Sequence, residues 1–125
     1  MLNVKQISSM GLFFSFFAAA AFANGSTPPQ PGEIEIPVVA RQFDFTPGTA
    51  SAIVLRQGQP VVLSVTTQDR KHGFFSKELN IDETVVPGKV TYIHINPTHA
   101  GTFQFHCSVF CGSGHEGMQG TIVVQ

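Results

Sequence analysis

The chain has 125 residues, 42% of them hydrophobic and 12% charged, and its 7 basic and 8 acidic residues leave a formal net charge of −1. That length holds one domain. So mild a balance excludes nucleic acid and anionic membrane surfaces as partners, because both require a concentrated basic patch.

The start of the chain reads as a targeting segment rather than as part of a fold. Lys5 supplies a positive end, Met10 to Ala23 is an apolar run with Phe13, Phe14, Phe16, Phe17 and four successive alanines, and Ala21-Phe22-Ala23 offers a small-x-small cleavage site. Residues 1–23 therefore read as a Sec-type signal peptide, with periplasmic or otherwise exported localisation. At fourteen residues the run is shorter than the ~20 needed to span a bilayer. The competing reading is an uncleaved N-terminal membrane anchor. No cysteine follows the run, which excludes lipoprotein anchoring. Residues 24–33, rich in Pro, Gly, Ser and Thr, have the composition of a semi-stiff linker that does not pack.

The folded unit is expected over residues 34–125, built from short strands. Ile34 to Ala40, Ala52 to Arg56, Val61 to Thr67, Val90 to Ile95, Thr102 to Cys107 and Thr121 to Val124 are rich in Val, Ile, Thr and Phe. Turn signals separate them: Pro47-Gly48, Gln57-Gly58, Pro87-Gly88, Asn96-Pro97 and Ala100-Gly101. Val61, Leu63 and Val65 alternate with other residues, as do Phe103 and Phe105 with Gln104 and His106, which buries one face of each strand. No segment has a helical period. Six short strands in about ninety residues predict an all-β, two-sheet antiparallel sandwich.

Between the last two strands lies Cys107-Ser-Val-Phe-Cys111-Gly-Ser-Gly-His115-Glu-Gly-Met118, which holds both cysteines of the chain and one of its three methionines. Thiolate, imidazole and thioether are soft or borderline donors and together favour copper over magnesium, calcium or manganese. A mononuclear blue-copper site needs two histidines, one cysteine and a weak axial methionine. Cys111, His115, Met118 and an upstream histidine satisfy that, leaving Cys107 unexplained; with both thiolates as bridges, two coppers can sit side by side. The competing reading of Cys107 and Cys111 is a structural disulfide, common in exported chains. Closing so short a loop restrains little of the unfolded chain, and such a bond would have to be reduced before copper loads.

The Cys-x3-Cys-x3-His-x2-Met pattern, with His72 upstream in Asp69-Arg-Lys-His72-Gly-Phe74, resembles the binuclear CuA site of cytochrome c oxidase subunit II and of the copper domain of nitrous oxide reductase. The resemblance covers roughly the last ninety residues and implies a cupredoxin-like Greek-key β-sandwich. It further implies that Cys107 and Cys111 bridge two copper ions, that His72 and Met118 complete one of them, and that His115 and the backbone carbonyl of Val109 complete the other. This chain departs from the pattern twice. Many oxidase subunits carry Glu where Val109 stands, its side chain serving a second metal, and the family's tryptophan-rich docking patch has as its counterpart Gln42-Phe43-Asp44-Phe45 in a chain with no Trp.

Around these ligands, Phe74, Phe75 and Phe110 are expected to shield the metal from water, and Gly112, Gly114 and Gly117 to let the loop fold tightly. Arg70 and Lys71 form a small basic spot beside His72. His94, His99, His106 and Glu116 are expected at the surface. No Ser-His-Asp set and no phosphate-cradling glycine motif is present, and a metal closed by protein ligands leaves no position for a small-molecule substrate. The resemblance implies one-electron transfer from a cytochrome c-like donor to an oxidase or reductase. The chain is then the copper subunit of an oxidase held by its partner, or a free-standing carrier without the two transmembrane helices usual in subunit II. Two alternatives use the same residues: a periplasmic copper chaperone, and a mononuclear blue-copper carrier.

Overall fold

In the computed structural model, residues 26–125 are described, so the expected signal peptide at 1–23 lies outside the described residues. Among the described residues nine strands form two sheets: β1 (Ile34–Arg41), β2 (Asp44–Thr46), β3 (Ile53–Leu55), β4 (Val61–Thr67), β5 (His72–Ser76), β6 (Ile81–Val85), β7 (Thr91–Ile95), β8 (Gly101–His106) and β9 (Gln119–Val124). One sheet runs β2-β1-β4-β7 and the other β3-β9-β8-β5-β6. The sandwich predicted from strand spacing is present, and all six expected strands appear within it. Among the described residues no helix is long and apolar enough to cross a membrane.

Two features differ from the expectation. The sheets are mixed rather than antiparallel: β1 pairs β4 in parallel, with Ile36 opposite Leu63, and β3 pairs β9 in parallel, with Val54 opposite Val123. Parallel neighbours need a crossover connection, and here β3, in the other sheet, lies between β1 and β4 along the chain. The second difference is that β2, β5 and β6 have no clear sequence signal. β5 is buried at four of its five positions, so it lacks the alternation of a strand with one wet face. β6 carries Asp82 and Glu83 at an edge of its sheet. Glu83 sits in the half-buried register between Ile81 and Val85, and burial, with Asp82 beside it, raises its pKa. An inward-facing acid on an edge strand discourages further strand pairing.

The core beneath one end of the sandwich is aromatic. Phe45 of β2, Phe74 of β5 and Phe105 of β8 are at most 1% exposed. Phe74 and Phe105 stack with centroids 4.2 Å apart, and Phe45 meets them edge-on at 5.5 and 4.9 Å. Each such ring contributes roughly 1.5–3 kcal/mol by burial. The cluster ties β2, from one sheet, to β5 and β8, from the other. Phe74 lies two residues after His72 and Phe105 two before Cys107, so the packing of these rings sets where those two side chains emerge.

The segment expected to be a free linker lies along β7 in its described part. Ser26 accepts a hydrogen bond from the Tyr92 N–H at 2.8 Å, and Gln59 donates its side-chain amide to the Gly32 carbonyl at 3.0 Å. His94 faces outward as expected, but its ring is held between two acceptors: Glu33 Oε2 at 2.6 Å from Nδ1 and the Thr27 carbonyl at 2.7 Å from Nε2. Only the imidazolium donates to both at once. Burial opposes the charged ring, but the bonds to Glu33 and the Thr27 carbonyl and the Glu33 charge together outweigh it and raise the His94 pKa, while the bond to His94 lowers that of Glu33.

Two predictions follow from this packing. A raised histidine pKa stabilises the attachment below the ordinary value and loses that contribution as pH rises through the raised one; the lowered carboxylate contributes above its ordinary value. The strap is thus held best between about 4.5 and 6.5, the ordinary values of Glu33 and His94, and loosens at higher pH. Titration of His94 by NMR should give a pKa above 6.5 that drops in Glu33→Gln; an unchanged value in that variant refutes the pairing. The second concerns Gly73 of β5, where a Cβ would lie 2.7 Å from the Ser108 backbone nitrogen and 2.9 Å from that of Val109. Gly73→Ala should cost about 1–3 kcal/mol in chemical denaturation, whereas an unaltered midpoint would show that β5 and the chain beyond β8 separate freely.

Candidate metal centre

Cys107 follows directly on β8, and its N–H donates to the Met118 carbonyl at 3.0 Å, closing the base of the loop just before β9 begins. Within that ring the chain turns tightly. A 3₁₀ turn spans His115–Gly117, with the His115 N–H donating to the Gly112 carbonyl and the Met118 N–H to the His115 carbonyl, both at 3.1 Å. Gly112 has φ +135°, a conformation side chains rarely adopt, and a Cβ there would meet the Gln42 amide nitrogen at 2.5 Å. A Cβ on Gly114 would strike the Phe43 ring, also at 2.5 Å. Gly117 has open space around it and is an ordinary turn residue.

The fold brings all six residues singled out from the sequence to one place. The sulfurs of Cys107 and Cys111 are unbonded and 3.5 Å apart. His72 Nδ1 lies 3.9 Å from the Cys107 sulfur, and His115 Nδ1 lies 3.5 Å from that of Cys111. Met118 Sδ is 3.6 Å from the Cys111 sulfur, and the Cys107 thiol donates to the Val109 carbonyl at 3.0 Å. Each sulfur therefore has its own imidazole. His72, Cys107, Cys111 and Met118 are at most 2% exposed, while His115 and Val109 are half-buried. The donors of His72, Cys107 and Cys111 all fall within 4.8 Å of one another.

His72 is the first residue of β5 and not part of a preceding loop. Its orientation comes from Asp69, whose Oδ1 lies 2.7 Å from Nε2, leaving Nδ1 turned toward Cys107. Carboxylates in this role fix the ring and make the other nitrogen a better donor. Burial opposes the Asp69 charge, but bonds from His72, the Gln42 and Arg70 N–H groups and the Thr67 hydroxyl hold its carboxyl well below the usual carboxylate range. The sequence reading passed over Asp69; its place three residues before His72 was the signal available.

The Cys111 thiol is costly to ionise here. Burial first, then the neighbouring Cys107, pushes the Cys111 thiol up to about 11, with Asp69 adding to the rise and Arg70 opposing it. One bond favours sulfur charge directly: the Gly73 N–H donates to the Cys107 sulfur at 3.3 Å. A buried thiol pair with imidazole and thioether partners and few compensating donors fits a soft cation, whose own charge offsets the cost of deprotonation.

The aromatic shield is only partly as expected. Phe74 is fully buried below His72, and Phe75 is half-buried, its ring 5.1 Å from that of His106. Phe110 is 77% exposed and tilts against His115 at 5.7 Å, so it projects into solvent instead of sealing the site. Water is instead excluded on the other side by Phe43, which packs beneath Gly112 and Gly114. A depression of about 460 Å³ borders the site, lined by Phe75, Asp82, His106, Val109 and His115 among others. His106, Glu116 and His99 are exposed, as expected.

Residues 10–124 match the family described as the cupredoxin-like domain. Cytochrome c oxidase subunit 2 of Thermus thermophilus is 34% identical over 95 residues, an alignment covering 76% of this chain and 68% of that subunit. Among solved structures, a chain of a heme-copper terminal oxidase dimer superposes with a TM-score of 0.65 at 30% identity, over 75% of this chain and 66% of that one. The periplasmic domain of cytochrome oxidase subunit II from Bradyrhizobium japonicum gives 0.69 at 18% identity, over 78% and 86% of the two chains, a likeness of fold. The chain thus spans about two thirds of the first two relatives. With the mixed two-sheet sandwich and the thiol pair at its end, these matches establish that the chain belongs to the cupredoxin-like domain family and is a relative of cytochrome c oxidase subunit 2.

Proposed function

We propose that this chain is an exported one-electron carrier whose site holds two copper ions of the CuA type. The observation that carries this reading is the pair of buried sulfurs 3.5 Å apart, each with its own imidazole Nδ1, at 3.9 Å for Cys107 and 3.5 Å for Cys111. A mononuclear site would leave one sulfur without a role. Cys107 and Cys111 would bridge the ions, His72 and Met118 would complete one, and His115 with the Val109 carbonyl the other. When bound, the copper pair supplies a single-electron couple in which the added charge is shared between two ions.

The protein's own contribution is rigidity. Cys107 is held by β8, His72 by β5, and the loop by its closing bond to Met118, so little rearrangement accompanies a change of charge. Asp69 keeps His72 in one orientation. Phe74 below and Phe43 alongside keep water from the sulfurs. The partners this reading implies are macromolecular: a cytochrome c-like donor, and an oxidase or reductase as acceptor. Export to the periplasm, cleavage after Ala23 and a folded domain over residues 34–125 complete the proposal.

Copper analysis with electron paramagnetic resonance of the loaded, oxidised protein tests it. Two coppers per chain and a seven-line hyperfine pattern from one shared unpaired electron are expected. One weakly held copper, or a form that does not oxidise reversibly, would overturn the reading in favour of copper delivery. In Met118→Leu the copper should remain and the reduction potential shift, since a thioether is a weak ligand that tunes more than it holds. Complete copper loss in that variant would show that Met118 binds more strongly than an axial ligand.

A further inference from the structure

The backbone carbonyl of Cys111 is gripped by two side chains from distant parts of the sequence. The Gln42 amide donates to it at 2.5 Å and the Arg70 guanidinium at 3.2 Å. Both donors are fixed from one point: the Gln42 N–H donates to Asp69 Oδ2 and the Arg70 N–H to Asp69 Oδ1, each at 2.7 Å. Asp69 Oδ1 is also the atom that orients His72. The grip is close, because Gly112, the next residue, has no room for a Cβ against the Gln42 amide.

We infer that Gln42 and Arg70 are positioning and potential-setting residues: they hold the Cys111 end of the thiol pair in place and, through the fixed guanidinium charge, favour the reduced state of the site. This deepens the electron-carrier reading and rests on it. With copper bound, reduction would add one electron, supplied by the cytochrome c-like donor, to the metal site beside Cys111 and would break no bond. An arginine remains charged at every accessible pH, and its charge beside the carbonyl stabilises that added electron while being nearly independent of the ligands themselves. The Gln42 amide adds an oriented dipole of the same sense, its N–H aimed at the carbonyl of a ligand residue. Neither side chain reaches a donor atom of the site, so both act through Cys111. Arg70 is exposed on its outer side. Its effect is therefore screened by salt, with a Debye length of about 10 Å at 0.1 M ionic strength.

The test is spectroelectrochemical titration of the copper-loaded protein as wild type, Arg70→Gln, Arg70→Lys and Gln42→Ala, at low and high ionic strength. The midpoint potential is expected to fall in Arg70→Gln, to stay near wild type in Arg70→Lys, and to fall by a smaller amount in Gln42→Ala. The visible and paramagnetic resonance spectra of the arginine variants should match wild type, and the gap between wild type and Arg70→Gln should narrow as salt is raised. An unchanged potential in Arg70→Gln overturns the inference, as do equal shifts in Gln and Lys variants that ignore salt, since those mark a purely structural role. If the carrier reading itself is wrong, the wild-type protein shows no reversible couple, and that failure is seen before any variant is measured.

Discussion

The site depends on one close approach, that of Gly73 to the chain leaving β8. With no side chain at Gly73, β5 lies close enough to Ser108 and Val109 for its own N–H to reach the Cys107 sulfur at 3.3 Å. That approach brings His72, one residue earlier, within 3.9 Å of the same sulfur. The constraint is steric rather than conformational, because Gly73 has an ordinary φ and is needed only for its missing Cβ. The stacked Phe74 and Phe105 rings, one residue after Gly73 and two before Cys107, hold the two strands at that distance from below.

From this contact the remaining features follow in order of distance. The loop can be short because its two ends are already adjacent, joined by the Cys107 to Met118 backbone bond. Its sulfurs can be buried because Phe43 fills the space that side chains at Gly112 and Gly114 would have taken. Burial, with Cys107 beside it, raises the Cys111 thiol to about 11. A cation that binds there is held by charge as well as by ligation, and thiol sites of this kind bind metal with release of protons.

Asp69 links the site to the rest of the molecule. It orients His72 and, through backbone N–H groups, locates both Gln42 and Arg70. Gln42 lies in the connection between β1 and β2, and Arg70 between β4 and β5, so one carboxylate gathers two loops and a strand around the sulfurs. Its charge is offset by these donors, which is why its carboxyl stays ionised far below the usual range despite partial burial. The polar strap along β7, tied through His94 and Glu33, is a separate device whose contacts, as described, do not touch the sulfurs.

The sequence by itself determined which soft side chains lie together and the kind of fold. Thiol, imidazole and thioether groups concentrated between Cys107 and Met118 suit a soft cation better than a hard one, and alternation in Val61–Thr67 and Thr102–Cys107 demands a buried sheet face. These signals are local, carried by neighbouring residues, and so they survive without coordinates. Tertiary structure alone decided the rest. β5 carried no period because it is covered on both faces, and the parallel pairings of β1 with β4 and β3 with β9 depend on which sheet the intervening chain joins. Phe110 reads as a shield by composition but stands in solvent, since nothing in space lies over it. Gln42 and Arg70 reach Cys111 across 69 and 41 residues of chain, and no pattern of neighbours in sequence encodes a contact made by folding.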